Sequence, residues 1–96
     1  MTTALITHPA CLEHVTPAGH PEQVARLDAV LGALDGLDLM FVSAPMAAED
    51  DLLRCHPKAH LTAIADAAPS DGWRSLDADT HMSVGTLEAA YRATGG

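Results

Sequence analysis

Aromatic and basic side chains are the scarcest things in this sequence. Phe41, Trp73 and Tyr91 are its only aromatics, 3% of 96 residues, although hydrophobic residues reach 48%. The apolar content is therefore mostly Ala, Leu and Val, each with little area to bury. That argues against a self-sufficient miniature core and for helices laid on a sheet. Only 5 Lys and Arg stand against 13 Asp and Glu, a formal net charge of -8. Nucleic-acid binding leaves a basic patch, and there is none here. An anionic membrane surface is disfavoured for the same reason. No apolar run approaches the roughly 20 residues that span a bilayer. The opening MTTALITH has neither the basic start nor the long apolar stretch of a signal peptide. Cys11 and Cys55 are the only cysteines, and a cytoplasmic setting would keep them as free thiols rather than a disulfide. Also missing are a Gly-rich phosphate loop, a Gly-x-Ser-x-Gly elbow and a Ser/His/Asp arrangement. There are no internal repeats.

What is present is concentrated in His8–Leu27, HPACLEHVTPAGHPEQVARL, with three histidines, a cysteine and three prolines ahead of an amphipathic repeat. Binding residues sit preferentially on loops held by a rigid scaffold, and the flanking apolar patterns supply one. Thr3–Thr7 reads as a first strand, its Ala4, Leu5 and Ile6 consecutive as in a strand buried on both faces. Pro9, Pro17 and Gly19 keep the next stretch irregular. A helix is expected from near His20, with Pro21 at its first position and Glu22 favoured by the helix dipole. Val24, Leu27, Leu31 and Leu34 form its stripe, widened by Val30 and stopped by Gly36.

Leu39–Val42 reads as a second buried strand. Ala47–His56 and Lys58–Ala68 read as helices separated by Pro57, the latter with Leu61, Ile64 and Ala65 inward. Pro69–Gly72 is a turn, and Leu76–Thr80 is expected to be loop. Ser83 is a plausible N-cap for a last helix with Leu87, Ala90 and Tyr91 inward, ended by Gly95 and Gly96. Alternating strands and helices predict an α/β layer with a parallel sheet. Two strands are too few for independent stability, so part of the sheet is expected to be missing.

Three groups of residues invite chemistry. His8, Cys11, His14 and His20 are all competent zinc ligands, but their spacing does not fit the paired clusters of common zinc modules; a polar loop bonding nearby carbonyls is the plainer reading. Cys55, His56 and His60 lie across Pro57 without a carboxylate partner and read as packed or capping side chains. Asp77-x-Asp79-x-His81 is the sharpest. It is either a divalent-cation site, a segment whose Asp79 accepts hydrogen bonds from a substrate's backbone amides, or a solvated acidic turn. Arg26 borders the apolar stripe and is free either to snorkel or to pair with Glu22 one turn earlier.

Together, His14, His20-Pro21-Glu22, Arg26-Leu27, Leu52-Leu53 with His56, Leu76-Asp77-x-Asp79-Thr80, and Ala89-Ala90 before Gly95-Gly96 resemble the amino-terminal part of the histone deacetylase superfamily. The likeness is to its bacterial branch, the acetoin-utilization-type and acetylpolyamine amidohydrolases. It implies an arginase-like three-layer α/β/α fold with a mostly parallel sheet, and zinc-dependent hydrolysis of acetyl-lysine or acetylpolyamine amides. It also implies that residues 1–96 are a partial deacetylase domain, its amino-terminal segment only. The zinc ligands, the His-His pair and a catalytic Tyr of that family belong further along than this chain reaches. So the chain alone is expected to bind no zinc and to be inactive.

By the same resemblance His14, His20, Pro21 and Glu22 would flank the acyl-chain tunnel, Arg26 would face an internal channel beneath the metal, and Asp79 would be the rim aspartate that holds the substrate backbone. The departures are Gln23-Val24 where the family often has Arg-Pro, His60 where an aromatic is common, and His81 where an aromatic or apolar residue is usual. An alignment making Asp79 and His81 zinc ligands is rejected, because the segment comes too early and Met82 stands where a second histidine belongs. The competing reading is a small non-catalytic acidic α/β interaction module, with a metal-binding protein using His8, Cys11, His14 and Asp77–His81 as a weaker third. Exposed apolar faces would also allow self-association.

Overall fold

The computed structural model describes all 96 residues. Strand β1 is Thr3–Thr7 and a short 3-10 turn follows at Pro9–Glu13; helix α1 is Val24–Leu34 and β2 is Leu39–Ser43. Then come α2 (Glu49–Leu53), α3 (Lys58–Ala67), the two-residue strands β3 (Arg74–Ser75) and β4 (His81–Met82), and α4 (Thr86–Gly95). β1 and β2 pair in parallel, Thr3 beside Leu39 through Thr7 beside Ser43, joined by the helical crossover that parallel strands need. β3 and β4 form a separate antiparallel pair. The α/β class is therefore present. The 96 residues do not themselves build three layers.

Several boundaries differ from the sequence expectations. α1 starts at Val24 rather than near His20, and Pro21 lies in the bend before it. The cause is local: the Thr16 hydroxyl donates to the Glu22 carbonyl and the Glu22 N–H goes to His20. Residues 16–22 are thus tied into a closed loop. α2 is shorter than Ala47–His56, because the Ala47 N–H is taken by the Tyr91 carbonyl at 3.0 Å. At its far end the Cys55 and His56 N–H groups converge on Leu52 O. The Leu76–Thr80 segment is the tip of the β3–β4 hairpin, which the sequence pattern did not reveal. Gly85, not Ser83, occupies the N-cap position of α4. The residue that α4 buries is Ala89, while Leu87 and Tyr91 are half-buried and Ala90 is exposed.

Burial is confined to one place. The buried residues are six of 96: Ala10, Ala44, Ala47, Met82, Ser83 and Ala89. They gather where α4 crosses the 3-10 turn and the chain leaving β2. The approach is close enough to require glycine, since a Cβ on Gly95 would overlap the Pro45 carbonyl and one on Gly85 would overlap Glu13. Arg92 completes this seam by donating from Nη1 to Ala44 O at 3.0 Å.

Elsewhere the apolar pattern is left bare. Partnered residues in a parallel pair share a sheet face, so Leu5 and Phe41 lie on one side and Ile6 and Met40 belong to the other. Phe41 is 67% exposed, Met40 53% and Ile6 46%. The strand expected to be buried on both faces is fully covered on neither: Leu5 is half-buried and Ile6 exposed. The accessible surface is 6489 Å², against about 5,200 Å² for a folded monomer of this mass. The radius of gyration is 14.8 Å, against about 12.5 Å for a compact chain of this length. The molecule is a slab, 19 Å across its thinnest direction. No helix is long and apolar enough to cross a membrane.

Candidate functional site

The loop between β1 and α1 is built from its own imidazoles. His8 caps the 3-10 turn, its Nδ1 accepting the Ala10 N–H at 3.0 Å. Beyond that turn the chain extends past residues 13–16 and meets the start of α4. Ser83 is buried there, and its hydroxyl donates to Glu13 O and accepts the Val15 N–H, each at 3.1 Å. Thr86 Oγ1 accepts the Ser83 N–H at 2.8 Å. Its own proton is then free for His14 Nδ1, 2.6 Å away. Trp73 adds a further stitch, Nε1 donating to Val15 O at 2.7 Å.

His20 carries the outer part of the loop. Its Nδ1 accepts the Glu22 N–H at 3.0 Å, so the ring proton sits on Nε2, which donates to Asp79 O at 2.8 Å. The His81 ring stands edge-on to it, centroids 5.3 Å apart, and is held by Ser75 Oγ at 2.8 Å from Nδ1. Asp77 closes the hairpin tip by accepting the Asp79 N–H at Oδ1, 2.8 Å. That backbone N–H, followed by the Thr80 hydroxyl, holds the Asp77 carboxyl below its ordinary value of 3.8.

These contacts bring the sequence-predicted residues together. His14, His20, Glu22 and Asp79 line one cleft of about 410 Å³, floored by Ile64, Met82 and Leu87. His14 and Glu22 also border a second cleft of about 310 Å³, which takes in Arg26 and Cys11. Arg26 pairs with Glu22 at 3.4 Å and both side chains are more than half exposed, an arrangement worth a few tenths of a kcal/mol. Pro21 is exposed in the bend and lines neither cleft. The Asp79 carboxylate is exposed and makes no hydrogen bond within the chain, which leaves both oxygens for an incoming N–H donor.

Side chains alternate along residues 13–16. His14 and Thr16 face the cleft just described, while Glu13 and Val15 face a larger hollow of about 710 Å³ bounded by Trp73 and Val84. Ser83 and Thr86 were absent from the sequence-derived set of site residues, and His81 was named only as a candidate cation ligand beside Asp77 and Asp79. The only signal for the first two was the Ser83-x-x-Thr86 spacing, which reads as a helix cap and gives no hint of a partner 68 positions away.

The residues present do not fit a zinc site. No group of three or more His, Cys, Asp or Glu side chains converges on a point. The Nδ1 atoms of His8, His14 and His20 are engaged within the chain. Cys11 and Cys55 are unpaired.

No protein-family profile matches the chain, and no curated protein matches it either. A solved structure does: the crystal structure of the HDA15 HD domain, a histone deacetylase domain, superposes with a TM-score of 0.82 at 19% identity. The chain shares its fold with part of that domain. The match covers 99% of this chain and 30% of that one. The chain thus spans just under a third of the solved domain to which it is similar.

Proposed function

We propose that these residues are the amino-terminal part of a zinc-dependent deacetylase of the acetoin-utilization and acetylpolyamine type, acting on acetyl-lysine or acetylpolyamine amides in the cytoplasm. The observation that carries this reading is the cleft in which His14, His20, Glu22 and Asp79 meet. They come from two loops 59 positions apart at the His20–Asp79 contact. The sequence resemblance had assigned both loops to the rim of one tunnel. The shared fold with part of a histone deacetylase domain supports it.

In this reading the Asp79 carboxylate accepts N–H groups of the substrate backbone, His14, His20 and Glu22 flank the acyl chain, and Arg26 belongs to the inner channel. Holding the substrate's direction in this way removes orientational freedom ahead of the chemical step. Zinc, when bound in such an enzyme, polarises the amide carbonyl and activates water. In this reading its ligands come from polypeptide other than these 96 residues.

A deacetylation assay tests the proposal. The isolated chain, with zinc supplied, should show no turnover on acetyl-lysine peptides or acetylpolyamines. Supplied with the remaining two-thirds of a deacetylase domain, covalently or as a second chain, it should gain zinc-dependent turnover. Hydrolysis by the isolated chain would overturn the assignment of the chemistry to other polypeptide. Failure of every such completed form to bind acetylated substrate would overturn the deacetylase reading itself.

A further inference from the structure

We propose that His20 is a positioning residue: a single neutral imidazole that clasps the outer part of the first loop to the Asp79 turn, and whose protonation opens the cleft. Among the side chains joining the first loop to the hairpin and α4, the inner stitches run through Ser83, Trp73 and the His14–Thr86 pair. The outer one is His20 to Asp79 alone.

The ring is rigid, so its two ends act together. Nδ1 must be unprotonated to accept the Glu22 N–H, and Nε2 must carry the proton to donate to Asp79 O. A second proton on Nδ1 sets an N–H against an N–H. The ring then turns to escape, and the same turn lifts Nε2 off Asp79. His81, edge-on at 5.3 Å, repels a charged His20 when it is itself charged. The other titratable or charged groups around the ring are His14 and Glu22 from the first loop and Asp79 from the hairpin. Arg26 of α1 faces it only through Glu22, and Asp77 acts on His81 rather than on His20. From α4 and α3 the cleft receives Thr86, Leu87, Ala90 and Ile64, none of them titratable. Imidazoles change charge between pH 5 and 8, where carboxylates stay ionised; the rings of His14 and His81 share that range, so the clasp is read at the Glu22 amide that His20 itself holds.

The clasp is a property of this chain and is read without substrate. Its consequence, that the rim carboxylate is presented at a fixed place only while His20 is neutral, rests on the deacetylase reading. NMR on the 96-residue chain between pH 8 and pH 5 tests the clasp. In the wild type, protection of the Glu22 amide should fall about fivefold, the factor for one ordinary hydrogen bond, and the nuclear Overhauser contact between the residue 20 side chain and Asp79 should be lost with it. The Trp73 indole N–H, on an inner stitch, should keep its protection. His20→Asn retains an acceptor for the Glu22 N–H and lacks reach to Asp79; it should hold Glu22 protected at both pH values with the Asp79 contact absent. His20→Gln should keep the Asp79 contact at both and leave Glu22 unprotected.

Acid release of Trp73 together with Glu22 would overturn the clasp in favour of general loosening. So would a wild-type Asp79 contact indifferent to pH, or an intact Asp79 contact in His20→Asn. The wild-type titration decides the matter even if a variant fails to fold.

Discussion

Ser83 and Val15 are 68 positions apart, yet the Val15 N–H rests on the Ser83 hydroxyl at 3.1 Å, and the same hydroxyl gives its proton to Glu13 O. Ser83 is one of the few buried residues and the only buried polar one. Its replacement by alanine leaves one backbone donor and one acceptor without their partner. Ser83→Ala should destabilise the chain by roughly 1–3 kcal/mol, the cost of orphaning such groups, read as a lower chemical-denaturation midpoint. An unchanged midpoint would show that water replaces the serine there.

Two glycines make a matched pair of opposite sign. Gly32 lies inside α1 with nothing within 4 Å of where a Cβ would be, so Gly32→Ala should raise stability by about 0.5–1 kcal/mol through helix propensity. Gly95→Ala drives a methyl into the Pro45 carbonyl and should cost about 1–3 kcal/mol, as overpacking does. Thermal melts of the two variants, followed by helical circular dichroism, give both signs in one experiment.

The hairpin tip should weaken in acid. The Asp77 carboxyl is held below its ordinary value of 3.8 by the Asp79 N–H and the Thr80 hydroxyl. A depressed folded value means that its contribution is complete above the unfolded value and is lost as pH falls through the folded one. The difference between wild type and Asp77→Ala in order at the tip should therefore be constant from pH 7 to about pH 5 and vanish well below pH 4. A carboxyl carbon-13 titration of Asp77 with its midpoint above 3.8 would contradict the geometry.

Both faces of the β1–β2 pair carry exposed apolar side chains, Phe41 and Met40 above all. Contiguous apolar surface of this kind promotes association. Sedimentation velocity should show concentration-dependent self-association of the isolated chain, reduced by the double change Met40→Ser and Phe41→Ser. A strictly monomeric wild type at high concentration would refute this.

Asp79 is the rim residue whose role is open to direct measurement. In a completed, active enzyme Asp79→Asn should raise KM about tenfold, with a smaller effect on kcat, because it removes a charge-assisted grip on the substrate and not a reacting group. A fall in kcat at constant KM would move Asp79 from substrate holding to the chemical step.

The sequence discloses this molecule unevenly, for physical reasons. β1, β2, the α1 stripe and its stop at Gly36 were legible, since apolar period and a glycine at positive φ are local signals. The start of α1 was not: Pro21 suits a first helical position, but a hydroxyl and an imidazole outside the helix hold residues 16–22 in a loop. Burial of β1 was read from its composition, and composition registers what a strand is suited to touch, not what is there to touch it. At the site, loop and carboxylate types were visible, whereas the serine–threonine stitch that holds the first loop to α4 depends on a contact no spacing encodes.

The alternation along residues 13–16 gives this short stretch an odd-even arithmetic. One amino acid added or removed there would turn His14 and Thr16 toward the Trp73 hollow and deliver a carboxylate and a valine to the rim instead. Adding or removing two would restore the original facing. Changes of length at this point are thus felt as exchanges of chemistry between two sides of the molecule, long before they are felt as loss of fold.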